Sequence, residues 1–167
     1  AIAAGNHSLA LKADGTVVPG RFVADSKSPR ALRHTVVEWK DGTPVTVSVD
    51  PPRKGQPDPA SQAGTLDPVS AGFRLFRPVP AANVCNTTVN VFDGSRRSQL
   101  KVAAPVTQGD TITCAGTYAR IAGEAHSMAD KREFPFSLIF QKDAKGLAQL
   151  QRIEAPTNYG SAIIARR

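Results

Sequence analysis

Apolar and polar residues alternate in short runs along most of this chain, and turn residues separate the runs. Phe134, Phe136, Leu138 and Phe140 fall at every second position, and the valines of residues 43–50 do the same. This period of two is typical of strands with one buried face and one wet face. Asp-Gly pairs at positions 14, 41 and 93 predict tight turns, because glycine accepts the positive φ that hairpins need. The pattern therefore predicts an all-β chain.

Ten strands are predicted, and nearly all are joined by short connections. They cover residues 8–13, 16–24, 32–40, 43–50, 84–92, 98–103, 111–121, 134–142, 148–155 and 161–165. Neighbours joined by short turns pair antiparallel. A meander of this width tends to curl, since an open sheet leaves bare edges. We therefore predict one domain over residues 1–167, an antiparallel sheet rolled into a barrel or half-barrel.

One stretch interrupts the alternation. Residues 51–65 are rich in proline and glycine and are typical of a mobile linker. Asp67 is a good N-cap and Pro68 fits the first helical turn, so a short helix is predicted over about 67–77. The apolar residues of this helix are spaced i, i+4 and i+7 and share one face: Val69, Phe73 and Phe76. We expect that face to pack on the concave side of the sheet; the alternative is a surface helix.

The chain is basic, with a formal net charge of +7. Its basic pairs, at positions 96–97, 131–132 and 166–167, are scattered and lack interleaved aromatic residues, so we predict no nucleic-acid partner. An anionic membrane leaflet remains an alternative. No apolar run is long enough to span a bilayer. The sequence opens on an apparent strand and contains no signal peptide, so we expect it to start after a cleaved or disordered N-terminus.

The two cysteines, Cys85 and Cys114, are 29 residues apart, each on a predicted strand with a third strand between them. Without metal-ligand spacing, such a pair is either a disulfide or two reduced core thiols. A disulfide closing this loop would stabilise the fold by about 3.6 kcal/mol. The three histidines, His7, His34 and His126, are far apart in the sequence, so we predict no metal site, and we expect no cofactor.

Two sets of polar residues are candidates for binding. Tyr118 and Arg120 share a strand face and could line an internal polar site or a mixed solvent face. Arg96 and Arg97 follow the Asp93-Gly94 turn and could bind an anion. The alternative is that Asp93 caps backbone amides while Arg96 pairs with a carboxylate.

Several of these features together resemble a family known as domain of unknown function 3108. They are Trp-Lys-Asp-Gly at 39–42, the proline-rich loop after it, Leu-Asp-Pro-Val-Ser-Ala at 66–71, the Cys85 strand, Phe-Asp-Gly-Ser-Arg-Arg at 92–97 and the Cys114 strand ending in Ile-Ala-Gly at 121–123. The resemblance implies an exported, periplasmic, mostly β protein of Gram-negative bacteria. It also implies a disulfide between Cys85 and Cys114, and it carries no assigned activity.

We therefore expect a non-catalytic periplasmic protein that serves the cell envelope as a scaffold or adaptor. The alternative is a carrier of a lipid or acyl chain, held in the concave face of the sheet. Its lining would be Phe73, Phe76, Phe134, Phe136, Leu138, Phe140, Tyr118 and Arg120. A hydrolytic enzyme is a third hypothesis, which lacks the Gly-x-Ser-x-Gly motif of one common class. Partner identity and oligomeric state are left open.

Overall fold

A computed structural model describes residues 2–4, 7–27, 32–123, 133–158 and 160–166. The strands are β1 (Ile2–Ala4), β2 (Ser8–Leu11), β3 (Val17–Lys27), β4 (Leu32–Lys40), β5 (Thr43–Asp50), β6 (Val79–Pro80), β7 (Thr87–Phe92), β8 (Arg97–Val102), β9 (Val106–Gln108), β10 (Thr111–Ala122), β11 (Glu133–Lys142), β12 (Leu147–Thr157) and β13 (Gly160–Ala165). The helix α1 covers Pro68–Phe76. The predictions that concern His126, the 131–132 basic pair and Arg167 lie outside the described residues.

The strands form two antiparallel sheets. In the first sheet the order is β1-β3-β4-β5, with β2 beside β3; in the second it is β13-β12-β11-β10-β8-β7, with β6 beside β12 and β9 beside β10. The second sheet curls into a half-barrel. This confirms the predicted all-β, antiparallel, rolled architecture with one helix. The prediction of one continuous meander is wrong, because the chain leaves the first sheet after β5 and enters the second only after α1.

The alternating pattern located the long strands well. The bounds of β4 and β5 are those predicted, and β10 differs from its prediction by one residue. The strands that were missed, β1, β6 and β9, have three residues or fewer. So short a strand completes too few alternations to be recognised.

The proline-rich segment is not a free linker, contrary to the prediction for residues 51–65. It contains a 3-10 turn at Pro59–Gln62, and the side chains of Gln62 and Thr65 are buried. Gly64 donates a backbone hydrogen bond to Gly42 on the first sheet. Gln56 reaches the turn between β7 and β8 through its side chain. The segment therefore packs between the two sheets.

The helix begins where the sequence indicated. Asp67 Oδ1 accepts hydrogen bonds from the backbone N–H groups of Val69 and Ser70, at 2.8 and 2.9 Å. These bonds satisfy two of the free donors of the first turn. Pro68 occupies the first helical position, and α1 then lies against β3 and β7.

The two sheets meet at Phe92, the last residue of β7. Its ring is fully buried in a cluster with Phe22, Val37 and Trp39 of the first sheet. Gly94, in the following turn, has φ +87°, and a Cβ atom there would lie 2.8 Å from Thr35 Cγ2. Only glycine fits this close approach without displacing the first sheet. The β7–β8 turn therefore anchors one sheet on the other.

Candidate functional site

The inner face of the second sheet carries most of the predicted lining residues. The β10–β11 register pairs Ile112 with Phe140, Cys114 with Leu138, Gly116 with Phe136, and Tyr118 with Phe134. Directly paired residues share a face, and Arg120 follows on that face because side chains alternate along a strand. Six predicted residues are thus brought together: Tyr118, Arg120, Phe134, Phe136, Leu138 and Phe140. We call the Ile112–Phe140 end of this face the closed end and the Tyr118–Phe134 end the open end.

The closed end is filled. Leu138 and Phe140 are each 2% exposed, and they pack with Ile112, Cys114 and Val102. The chain from α1 to β7 covers this end, since Leu75, Val79, Ala81 and Val84 pack on the same cluster. Leu138 and Phe140 are therefore core residues, and their apolar surface already has protein partners.

The open end is only half-buried. Tyr118 and Phe134 form a tilted aromatic pair with 6.0 Å between ring centroids, and the guanidinium carbon of Arg120 lies 4.9 Å from the centroid of Phe134. Arg120 Nη1 is buried and has no hydrogen-bond partner among the described residues. This end therefore combines aromatic surface with one cation that has an unused donor.

The predicted apolar face of α1 does not pack against the sheet. Val69, Phe73 and Phe76 are 38–39% exposed, whereas Ser70 and Ala71 are buried. Periodicity identified a real apolar face, but β3 and β7 approach the helix from the side of its small residues. We call Val69, Phe73 and Phe76 the α1 stripe. The surface-helix alternative describes this stripe correctly, and the role of Phe73 and Phe76 as lining inside the sheet does not hold.

A basic side chain borders the stripe. Arg77 stacks on Phe73, with 5.6 Å between its guanidinium carbon and the ring centroid, and donates to the carbonyl of Gly15. Arg74 is exposed and reaches Thr87. Apolar side chains with cations along one edge are suited to an acidic amphipathic partner.

His7, Asp67 and Ser70 come together at the start of α1. His7 Nδ1 lies 3.5 Å from Asp67 Oδ1, and the Asp67 and Ser70 side chains are fully buried. A nucleophilic serine must reach its substrate, and this hydroxyl is closed off from solvent. Asp67 already serves as the helix N-cap. The arrangement is therefore a buried cap, and it gives no support to a serine hydrolase.

Asp93 caps the backbone amides of its turn, as the structural alternative predicted. Asp93 Oδ1 accepts from the backbone N–H groups of Ser95 and Arg96, at 2.8 and 2.7 Å. Within the described part of the chain, however, Arg96 forms no ion pair with a carboxylate. Arg97 points elsewhere and donates to the carbonyl of Ser61. The two neighbouring arginines therefore have different surroundings, and an anion bound by both stays a prediction.

Cys85 and Cys114 form the disulfide that the resemblance implied, with their Cα atoms 5.9 Å apart. Cys114 lies on β10, as predicted. Cys85 does not lie on a strand, because it has a left-handed φ of 67° and precedes β7 by two residues. Three strands, β7, β8 and β9, lie between the cysteines instead of one. The bond ties the cover of the closed end to the sheet beneath it.

Three surface clefts lie near these elements. One of about 540 Å3 lies between the β2–β3 turn and α1, with Asp14, Arg74 and Arg77 in its wall. A second, of about 480 Å3, is lined by Lys12, Asp41 and polar residues of β7, and a third, of about 380 Å3, lies over β8 and β10. Their walls mix charged, polar and apolar groups, unlike a pocket for an acyl chain.

Two further features are absent from the described residues. No helix in that part of the chain is both long and apolar enough to cross a bilayer. No three His, Cys, Asp or Glu side chains there lie close enough together to hold a metal ion.

A family model described as protein of unknown function, DUF3108, matches residues 7–165. The chain belongs to this family. No curated protein and no solved structure matches the chain. The family is thus established over nearly the whole chain, and its description assigns no activity.

Sequence reasoning missed Arg53, which lies near Arg96 in the structure, and Arg33, which lies near Arg53. Arg33 is on β4 and Arg53 follows β5, so they are 63 and 43 positions from Arg96 in the sequence. No local motif joins residues so far apart. The only available signal was the high overall basic charge.

Proposed function

We propose that this protein is a non-catalytic adaptor of the bacterial cell envelope, located in the periplasm, and that the α1 stripe contacts its partner. The observation that carries the proposal is the exposure of Val69, Phe73 and Phe76, at 38–39% each, on one side of a helix whose other side is buried. An aligned apolar row on a surface marks an interaction site more than scattered single residues do.

The charge beside the stripe favours a particular kind of partner. Arg74 and Arg77 follow one edge of α1, and the whole chain carries +7. An acidic amphipathic segment of another envelope protein would bury the apolar row and pair with these cations. Such a contact would be sensitive to salt, because exposed ion pairs are screened.

The disulfide supports the periplasmic location. Disulfides form and persist in oxidising compartments and are rare in the cytosol. Cells expressing the chain can be quenched in acid, and the precipitated protein can be dissolved in denaturant at neutral pH and treated with a thiol-specific maleimide before any reduction. We expect Cys85 and Cys114 to be blocked from labelling until a reductant is added. Free thiols at that stage would contradict the location.

Site-specific photo-crosslinking in the native host tests the adaptor role. A photoreactive residue at position 73 or 76 should give a discrete protein adduct, whereas the exposed position Gln108 on β9 should give none. The adduct should weaken with added salt and with Arg74→Glu. Equal yields at all three positions would show that the stripe is not a specific contact.

Substitution provides a matched comparison. Phe73→Ser and Phe76→Ser should abolish the adduct formed from the other stripe position without changing the melting temperature much, because both rings are partly exposed. Val106→Ser removes an apolar side chain that is 63% exposed on β9 and should leave the adduct unchanged. Loss of the adduct in all three variants would contradict a specific stripe contact.

The open end favours a second function, the carriage of an amphipathic anion such as a fatty acid. Tyr118 and Phe136 offer half-buried aromatic surface, and Arg120 has a buried donor without a partner in the described residues. Native mass spectrometry of protein purified from the periplasm should then show a bound species. That species should be depleted in Arg120→Gln and retained in Arg152→Gln, whose arginine pairs with Glu154. Unliganded protein alone would rule against carriage.

A further inference from the structure

Three arginines from distant parts of the chain converge between the two sheets. Arg33 on β4 donates from Nε to the carbonyl of Pro51 at 2.8 Å, which fixes it beside the chain that leads to Arg53. Gln56, three residues farther on, donates to the carbonyl of Gly94 at 2.9 Å. That bond brings the same segment onto the turn that carries Arg96.

The backbone around Arg96 is held firmly. The turn is fixed by the two hydrogen bonds that Asp93 accepts, and Gly123 at the end of β10 packs directly on it. A Cβ atom at Gly123 would lie 2.6 Å from the carbonyl oxygen of Ser95 and 2.9 Å from Arg96 Cα. The backbone that carries Arg96 is therefore fixed. This suits a binding residue, because a preorganised group loses less conformational entropy when it binds.

The cluster has an excess of positive charge. Burial lowers the pKa of Arg53, and the charges of Arg96 and Arg33 lower it further, while Asp93 acts in the opposite direction. Arg53 thus lies near two further cations and one carboxylate, and one oxygen of that carboxylate already accepts two backbone hydrogen bonds. The Nε atoms of Arg53 and Arg96 are buried and have no hydrogen-bond partner among the described residues. Unpaired buried donors cost stability unless another group satisfies them.

We propose that Arg33, Arg53 and Arg96 form a binding site for a phosphate group. A guanidinium offers paired N–H donors whose spacing matches two oxygens of a phosphate. A phosphate dianion would offset the surplus charge of the cluster, and its several oxygens could accept from more than one arginine. This site uses none of the residues of the α1 stripe or of the open end. The phosphate group belongs either to a soluble phosphate compound or to a phospholipid headgroup.

Titration with inorganic phosphate, followed by NMR of the arginine Nε–H signals at constant ionic strength, tests the site directly. We expect saturable shifts for Arg53 and Arg96. The Arg53→Gln and Arg96→Gln variants should each weaken phosphate binding about tenfold, the usual effect of losing a hydrogen bond to a charged group. Arg97→Gln is the matched control, because it removes the same charge from the neighbouring position and the Arg97 side chain reaches the carbonyl of Ser61 instead.

A second measurement distinguishes the two sources of phosphate. Co-sedimentation with phosphatidylglycerol vesicles that depends on Arg53 and Arg96 would assign the site to a lipid headgroup. Saturable binding of inorganic phosphate without vesicle binding would assign it to a soluble compound. Failure of the wild-type protein to bind either probe would overturn the proposal. Equal weakening by Arg97→Gln would also overturn it, because it would show a general charge effect. Circular dichroism of each variant confirms that folding is intact.

Discussion

The closed and open ends of the second sheet are made by the same two strands, yet they differ in what covers them. At the closed end, Leu138 and Phe140 are 2% exposed beneath the chain from Leu75 to Cys85. At the open end, Tyr118 and Phe134 continue the same alternation but remain half-buried. Strand pattern therefore determines which residues share a face, whereas the cover determines which of them become core.

The largest expected effect is at the closed end. Phe140→Ala should lower the free energy of unfolding by about 3–5 kcal/mol, because it removes a buried ring and leaves a cavity. Chemical denaturation followed by circular dichroism measures this change. A loss below about 1 kcal/mol, within the usual range of a surface substitution, would mean that the two ends do not differ in packing.

The disulfide comes next, since it ties the cover to the closed end. Replacing both cysteines by serine should cost about 3.6 kcal/mol from the entropy of the 29-residue loop. The melting temperature of wild-type protein should fall clearly with dithiothreitol, and that of the double variant should not change. A similar fall in the double variant would point to an effect of the reductant unrelated to this bond.

Gly116 lies at the boundary between the two ends. A Cβ atom there would clash with the ring of Phe136 on β11. Gly116→Ala should therefore cost about 1–3 kcal/mol by overpacking. In a Phe136→Leu background the cost should shrink, which a double-mutant cycle detects. An unchanged cost would show that Phe136 does not set the constraint.

The smallest effect is expected at the open end. Phe134→Ala should cost clearly less than Phe140→Ala, because its ring is only partly removed from water. The two variants should be measured together under identical conditions. Equal losses would remove the distinction between the ends, and with it the support for a ligand site at Arg120.

The sequence predicted the strands and the shared face well because both depend on local periodicity. The positions of β4, β5 and α1, and the face that joins Tyr118 to Phe134, follow from spacing alone. The burial of α1 could not be predicted in this way. Its most apolar side stays more than a third exposed, because the neighbouring strands approach the side with Ser70 and Ala71, and that choice depends on tertiary packing.

The arginine cluster shows the same limit. Arg96 was identified from its turn, but Arg33 and Arg53 are brought to it by the β4–β5 pairing and by the Gln56–Gly94 hydrogen bond. Cysteine pairing was left open by spacing and was implied only by the family resemblance. Contacts between residues far apart in the sequence are not visible in a single chain without that help.

The junction of the two sheets has a practical consequence. Trp39, the single tryptophan of the chain, is 7% exposed and packs in the cluster with Phe92. Its fluorescence should shift to longer wavelength when the first sheet separates from the second, even if the half-barrel stays intact. The molecule thus carries its own optical probe for that separation, and no dye has to be attached to follow it.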